Sequence, residues 1–234
     1  MIAAKAGAAV IKGCRPMPCP DLIEPPKAPA MTRLRFDDLK QYSDVLRSRR
    51  GDAVTVRFVE PRDAEQLQSY FRSLSVRSRY NRFLGAMGEL PQPLLDRFTH
   101  VSERDGFTVI ATMQLDGFET IVGEARYIFH ADDGSFEFGL SIEDRWQGFG
   151  IGAALLKNLE CRAAAFGAGR LFGDTLRSNQ SMIALAGKSN FAFIHHPDDW
   201  KLVRFVKEIA VAPKQIPCAS WRIAAQNAAL AVAN

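Results

Sequence analysis

The chain has 234 residues, 47% hydrophobic and 24% charged, the makeup of an ordinary soluble globular protein long enough to bury a sizeable core. Its formal net charge of +4 comes from the ends, because residues 31–212 carry equal numbers of basic and acidic side chains. That balance argues against nucleic-acid binding by bulk charge, and no apolar run approaches the ~18 residues of a membrane span.

Taken in chain order, the first segment is an arm. Pro16, Pro18, Pro20, Pro25, Pro26 and Pro29 crowd residues 13–30, a density that reads as flexible or extended. The opening M-I-A-A-K is faintly leader-like, but its apolar run is short and broken by Lys5, and no lipobox precedes Cys14, so export is not expected. Met31 offers an alternative start. Residues 31–52 are charged and weakly helical around Phe36–Leu46. The expected division is an arm over 1–52, a domain over 53–212, and a tail over 213–234 with an Ala-rich, helical Ile223–Val232.

Within the domain, Ala53–Val59 alternates as a strand, and Asp63 caps a helix running to Phe71 behind Pro61. Short helices are expected at Ser75–Phe83 and Leu94–Val101. Phe107–Leu115 and Glu119–Phe129 read as strands joined at Asp116-Gly117, a strong hairpin turn. A strand at Ser135–Ile142 follows Asp132-Asp133-Gly134. After it come a glycine-rich turn, an amphipathic helix with Ile151, Leu155, Leu156 and Leu159 near one face, and a strand at Leu171–Leu176. The pattern closes with a helix at Asn179–Lys188 and strands at Phe191–His195 and Leu202–Ile209. This is an α/β pattern, a mixed sheet with helices on both faces and no internal repeat.

The chemistry concentrates in S-F-E-F-G-L-S-I-E-D-R-W-Q-G-F-G-I-G, residues 135–152. Gly148, Gly150 and Gly152 leave successive N–H groups bare where a helix begins, and unpaired donors and the positive dipole end coincide there. The segment reads as a phosphate or pyrophosphate site. It lacks the lysine and hydroxyl of a P-loop. Gly148, Gly150 and Ala153 do satisfy G-x-G-x-x-A, with Asp174 about 20 residues on. Against a dinucleotide site stand the polar loop Glu143–Gln147 between strand and first glycine, Asp174 inside its strand rather than at its end, and too short a remainder for a second half-sheet.

Gln147-x-x-Gly150-x-Gly152 fits the Q/R-x-x-G-x-G/A signature of the GNAT N-acetyltransferase superfamily, which this chain resembles over about residues 53–212. F-E-F-G-L-S-I before the signature, the helix after it, the strand Leu171–Leu176 and N-Q-S-M-I-A-L-A-G-K-S-N-F at 179–191 follow in the family's order and spacing. R-Y-N-R-F, residues 79–83, resembles the acetyltransferase domain of bacterial protein-lysine acetyltransferases. The resemblance implies a mostly antiparallel, twisted central sheet and acetyl-CoA as cosubstrate, without a metal. The pyrophosphate would rest on Gln147, Gly148, Phe149, Gly150, Ile151 and Gly152. The pantetheine arm would add to the strand near Leu140 and Ile142, with Gly139 at a strand bulge and Asn179 touching the arm.

The same resemblance supplies the reaction: acetyl transfer to a primary amine, of a small molecule or a protein lysine. An amine of pKa about 10.4 is neutral in roughly one molecule per thousand near pH 7.4, so a base is useful. Glu137 matches the family's base position, with Glu124 in reserve. A glutamate titrating near about 4.3 would need burial, here expected between Phe136 and Phe138, to become useful. Arg79 and Arg82 fall on the acceptor side and are candidate substrate contacts. The family's tyrosine acid is replaced by Ala186, so solvent can reprotonate the thiolate; alternatively the chain is a non-catalytic acyl-CoA-binding regulatory module. Asn190 replaces the glycine of the family's G-F pair and tolerates positive φ. His195 and His196 alternate along a strand, which disfavours chelation. Trp146 is expected to pack behind the phosphate loop. Cys14, Cys19, Cys161 and Cys218 show no zinc spacing, Cys161 reads as a small packing residue, and a reduced cytoplasmic protein is expected. A homodimer is left open.

Overall fold

The computed structural model describes residues 42–100, 106–130, 132–210, 215–216 and 218–232. The proline-rich arm and the first part of the helix expected around Phe36–Leu46 lie outside them. The chain divides into residues 1–30 and 31–234, and everything described belongs to the second unit.

The strands are β1 (Asp44–Arg47), β2 (Ala53–Phe58), β3 (Phe107–Leu115), β4 (Phe118–His130), β5 (Ser135–Ile142), β6 (Arg170–Leu176), β7 (Ala192–His195) and β8 (Leu202–Glu208). The helices are α1 (Ala64–Ser73), α2 (Val76–Phe83), α3 (Gln92–Thr99), α4 (Ile151–Ala165), α5 (Gln180–Lys188) and α6 (Ala219–Val232). One sheet takes the order β1-β2-β3-β4-β5-β6-β8-β7. Every neighbouring pair is antiparallel except β5–β6, which α4 joins as a crossover.

Strand alternation splits the core between the two faces. Phe107, Ala125, Tyr127 and Phe136 pack with Leu155, Leu159 and Phe166 beneath α4. Ile110 and Ile121 pack with Leu67, Phe71, Leu95 and Phe98 of α1 and α3. The β3–β4 hairpin turns at Asp116 (φ 51°) and Gly117 (φ 83°), the paired left-handed conformations that a two-residue hairpin requires. Asn190 takes φ 62°, the turn its side chain tolerates.

Two segments depart from expectation. Residues 44–47 are strand, not helix: the Ser48–Asp52 turn folds them back onto β2 with Asp44 opposite Val56, and that pairing overrides a weak helical preference. Cys161 is buried, and it is also bonded to Cys218, which ties the start of α6 to α4.

The tie is reinforced by charge. Asp44 accepts hydrogen bonds from Ser220 Oγ (2.5 Å), Trp221 Nε1 (2.6 Å) and Asn158 Nδ2 (2.6 Å). Arg162, wholly buried, donates from Nε to Asn158 at 2.6 Å. Its guanidinium lies between the rings of Trp221 (4.0 Å) and Phe58 (4.8 Å), with Asp44 3.7 Å away. Burial pushes its pKa below the ordinary arginine value, and the acid and the two ring faces oppose that penalty. β1 and α6 thus share the sheet and core of residues 53–212.

Candidate functional site

β5 and β6 pair only from Ser135–Glu137 to Arg170–Phe172. Beyond Glu137 they fork, and Phe138–Ile142 keeps β4 on one side with no strand, among the described residues, on the other. Gly173 sits in the crotch. A Cβ there would lie 2.8 Å from the Phe138 carbonyl and 2.7 Å from the Phe205 ring, so only glycine allows this approach. Glu143 N–H bonds Val122 O across β4, and alternation therefore turns the main-chain groups of Ile142 and Leu140 toward the open edge.

Gly139 does not occupy a bulge, contrary to expectation. Register runs unbroken from Gly123–Ile142 to His130–Ser135; the sheet's irregularity lies between β3 and β4 at Ala111/Thr112. What Gly139 provides is room. A Cβ there would meet Arg82 Nη1 at 2.7 Å, so the α2 arginine lies directly on the strand.

The open edge runs down to the glycine turn. Gln147 Nε2 donates to the Ile142 carbonyl at 2.9 Å. Gly148 and Gly150 take φ 81° and 84°, and Gly150 caps α4 without any side-chain bond to the first turn. The N–H groups of that turn have no intrahelical acceptor, and a Cβ on Gly148 would meet nothing within 4 Å. Gln147, Gly148, Phe149, Gly150, Ile151 and Gly152 therefore form an uncapped helix start, with the Arg49 side chain beside Gly150, an arrangement of amides suited to a pyrophosphate. Asp144 bolts α2 to it, accepting from Ser75 N, Ser75 Oγ and Ser78 Oγ, each at 2.8 Å. Against the burial that raises it, these bonds hold the Asp144 carboxyl below its ordinary value. Trp146 is half-buried against the core. Asn179 caps α5, accepting from Met182 N (3.3 Å) and donating to Thr175 Oγ1 (3.0 Å), so both ends of its amide serve the fold.

One face of the fork collects the ionisable groups. Glu124, Arg126, Ile128 and His130 of β4 stand opposite Ser141, Gly139, Glu137 and Ser135 of β5. Glu124 is fully buried, bound by Arg82 Nε at 2.5 Å and by Ser141 Oγ at 3.0 Å, with Tyr70 OH 2.9 Å from the same Ser141 oxygen. Burial, first, and the Glu124 charge push the Tyr70 hydroxyl well above its ordinary pKa. Glu137 lies at the fork itself, 44% exposed and 3.1 Å from His130 Nε2. The burial expected between Phe136 and Phe138 is absent, because adjacent strand residues face opposite sides and both rings point into the core. Beside it Asp174 binds Arg204 through two bonds of 2.8 and 2.7 Å. That pairing, with Glu137 at longer range, holds the Arg204 guanidinium above its ordinary pKa. A cavity of about 390 Å³ opens on this face, lined by Arg82, Phe98, Arg126 and Ile128 among others.

The remaining candidates separate. Arg79 turns back to the carbonyls of Arg72 (3.1 Å) and Leu74 (2.5 Å), finishing α1, whereas Arg82 enters the fork. Ala186 is fully buried. His196 Nε2 stands 3.3 Å from Asp174 and His195 Nδ1 3.2 Å from Arg177, so the two histidines diverge. Among the described residues no group of His, Cys, Asp or Glu is arranged to hold a metal ion. Sequence reading missed His130 and Arg204; the hairpin register brings His130 to Glu137, β6–β8 pairing brings Arg204 to Asp174, and neither carries a local signal.

A profile of the acetyltransferase (GNAT) family matches residues 70–191. An acetyltransferase of Pseudomonas aeruginosa is 28% identical over 149 residues, covering 64% of this chain and 80% of that protein. The GNAT domain of S. lividans PAT aligns with TM-score 0.65 at 25% identity, over 71% of this chain and 96% of that one. A ribosomal-protein-S5-alanine acetyltransferase from Vibrio fischeri aligns with TM-score 0.56 at 14% identity, over 73% and 98%, a likeness of fold alone.

Proposed function

Because this chain belongs to the acetyltransferase (GNAT) family, we propose that it moves an acetyl group from acetyl-CoA to a primary amine, with Glu137 taking the amine proton. The observation that carries this reading is the fork: an open strand edge leads from a bare helix start at Gly148–Gly152 to a carboxylate at Glu137. The distance along β5 from Ile142 to Glu137 is about 17 Å, a span for an extended arm.

In this reading the pyrophosphate of acetyl-CoA rests on the amides of residues 147–152, and the arm adds to the open edge at Leu140 and Ile142. The acceptor amine enters from the face of Glu137, Arg82 and the neighbouring cavity. Its nitrogen forms a bond to the thioester carbonyl carbon, the carbon–sulfur bond breaks, and the electron pair leaves on the CoA thiolate. One proton of the incoming ammonium passes to Glu137, which His130 steadies, and the second, released from nitrogen as the amide forms, goes to solvent. Ala186 offers no proton to the thiolate, and a thiol of pKa about 8.5 leaves readily without one. Glu124 is committed to Arg82 and Ser141; its part is to hold Arg82 across Gly139, where the guanidinium positions the acceptor. The R-Y-N-R-F phrase of α2 favours a protein lysine as acceptor over a small amine. The supply of acetyl-CoA places the reaction in the cytoplasm, a reducing compartment in which the Cys161–Cys218 bond is open to reduction.

One observation favours a second reading, a CoA-binding module without transfer: the acid position is a buried alanine. Calorimetric titration with acetyl-CoA, followed by thiol release over a panel of amines and lysine-containing proteins, separates the two. Binding with release supports transfer, binding without release supports the module, and absence of binding defeats both.

A further inference from the structure

The glycine turn of α4 has no positive side chain of its own. Residues 147–154 read Q-G-F-G-I-G-A-A, so backbone amides and the helix dipole are all that this turn offers a polyanion. CoA carries a pyrophosphate and a 3′-phosphate, and amides alone leave most of that charge unmatched. The charge comes from elsewhere in the chain. The turn between β1 and β2 reaches the same place, and Arg49 N–H donates to the Phe149 carbonyl at 2.7 Å. The Arg49 side chain lies across Gly150, where a Cβ would sit 2.9 Å from its Cγ and 3.4 Å from its Nε. Arg50 places its guanidinium 3.6 Å above the Phe149 ring.

This turn is rigid before any ligand arrives. Ser48 Oγ donates to Asp52 Oδ2 at 2.7 Å and accepts from Arg50 N (3.1 Å) and Asp52 N (3.2 Å). Ser48 N–H also donates to the Asp52 carbonyl at 3.0 Å, and Gly51 N–H closes the turn on Ser48 O at 3.0 Å. Among the described residues neither Arg49 nor Arg50 has a carboxylate partner, although Asp52 is two residues away and bound to Ser48. Arginine stacked flat on an aromatic ring keeps its fork free for bidentate contact with phosphate, and a pre-set turn lowers the ordering cost of binding.

We propose that the Ser48–Asp52 turn is the second wall of the CoA phosphate site, with Arg49 and Arg50 supplying the positive charge that the glycine turn of α4 lacks. The proposal rests on the acetyl-CoA reading above. It gives β1 a second role beside the anchoring of α6 through Asp44: the strand carries two arginines to a site built some 100 positions later in the chain (Phe149 against Arg49).

The test is calorimetric titration of the whole protein with acetyl-CoA at several salt concentrations, for the wild type and for Arg49→Gln/Arg50→Gln. Glutamine keeps most of each stem and removes the charge. Loss of two charge-assisted contacts is expected to weaken acetyl-CoA binding about 10- to 100-fold, and to flatten the dependence of affinity on salt, with the melting temperature unchanged. Arg50→Lys, which keeps the charge and loses the planar fork, is expected to fall between. Wild-type affinity in the double variant overturns the proposal, as does weakened binding with an unaltered salt dependence, which would mean that the turn acts by shape alone. A wild-type protein that binds no acetyl-CoA defeats the proposed function itself, a result distinguishable from either.

Discussion

Replacing Glu137 by Gln removes the proton acceptor and almost nothing else. The amide is isosteric, keeps a partner for His130 Nε2 now 3.1 Å from the carboxylate, and leaves the glycine turn and the open edge untouched. The size of the effect follows from two limits. Without a base only the amine already neutral reacts, roughly one in a thousand near pH 7.4 for a pKa of about 10.4. A positioned base recovers about 10²- to 10⁴-fold, and the side chain here is 44% exposed, so the gain belongs at the lower end. A fall of about 100-fold in kcat is expected, equal to about 2.7 kcal/mol of barrier. The assay is thiol release under saturating acetyl-CoA from about pH 6 to about pH 9, alongside calorimetry for acetyl-CoA. The variant's rate should rise close to tenfold per pH unit, as hydroxide replaces the lost base, while acetyl-CoA affinity stays within about twofold. An unchanged rate across that range refutes the assignment, and equal losses of rate and affinity would mean that Glu137 shapes the cosubstrate site instead.

Four other expectations address the frame around the fork. Gly139→Ala places a Cβ against the guanidinium of Arg82, the far end of a long side chain; the melting temperature should barely move while the apparent KM for the acceptor rises several-fold, and a large loss of stability would show that the arginine, bound to Glu124, cannot yield. Asp44→Ala strips Ser220, Trp221 and Asn158 of their acceptor and leaves Arg162 as a buried cation, so chemical denaturation should register a loss of about 3–5 kcal/mol. Opening the Cys161–Cys218 bond, which closes a separation of 57 residues, should cost about 4 kcal/mol on chain-entropy grounds; thermal melts with and without reductant measure it, and Cys161→Ala/Cys218→Ala should melt like the reduced protein. Against the burial that raises it, Arg57 and the Glu60 N–H hold the Asp63 carboxyl below its ordinary value. Its contribution to stability is thus complete well above the unfolded aspartate value of about 3.9 and is lost as pH falls through the lower folded value. Asp63→Asn should flatten the urea-denaturation profile in that acid window and lower stability at neutral pH.

How far the chain is legible without its fold depends on how far apart the interacting residues are. The hairpin at Asp116-Gly117, the capped helices behind Ser75 and Asn179, and the glycine turn at 148–152 are written locally, since each rests on backbone conformations that a few adjacent residues dictate. The family signature is local for the same reason: the proposed anion site, made of main-chain amides, needs only a helix start and absent side chains. Glu137 stands out in the sequence only through the resemblance, as the glutamate on the strand before the signature, and its surroundings are not legible there. The expected burial failed on elementary strand geometry; its hydrogen-bond partner among the described residues, His130, comes from the hairpin register, and the longer-range charge of Arg204 from a strand 67 positions on. Arg82 and Arg79 share one short phrase; helix rotation sends one to Glu124 and the other to the end of α1.

Most of the elements and the glycine turn are thus legible in the chain alone, because they follow from short-range sterics and periodicity, and the family from the order and spacing of its motifs. Packing sets the rest: which strand edge stays open, that residues 44–47 pair as β1 instead of coiling, that Cys161 meets Cys218, that Arg49 lies along Gly150 and that Arg50 stands over Phe149. Each of those outcomes is a contact between segments tens of residues apart. It forms because burying a shared core outweighs weak local preference, and no window of adjacent residues contains both halves of it.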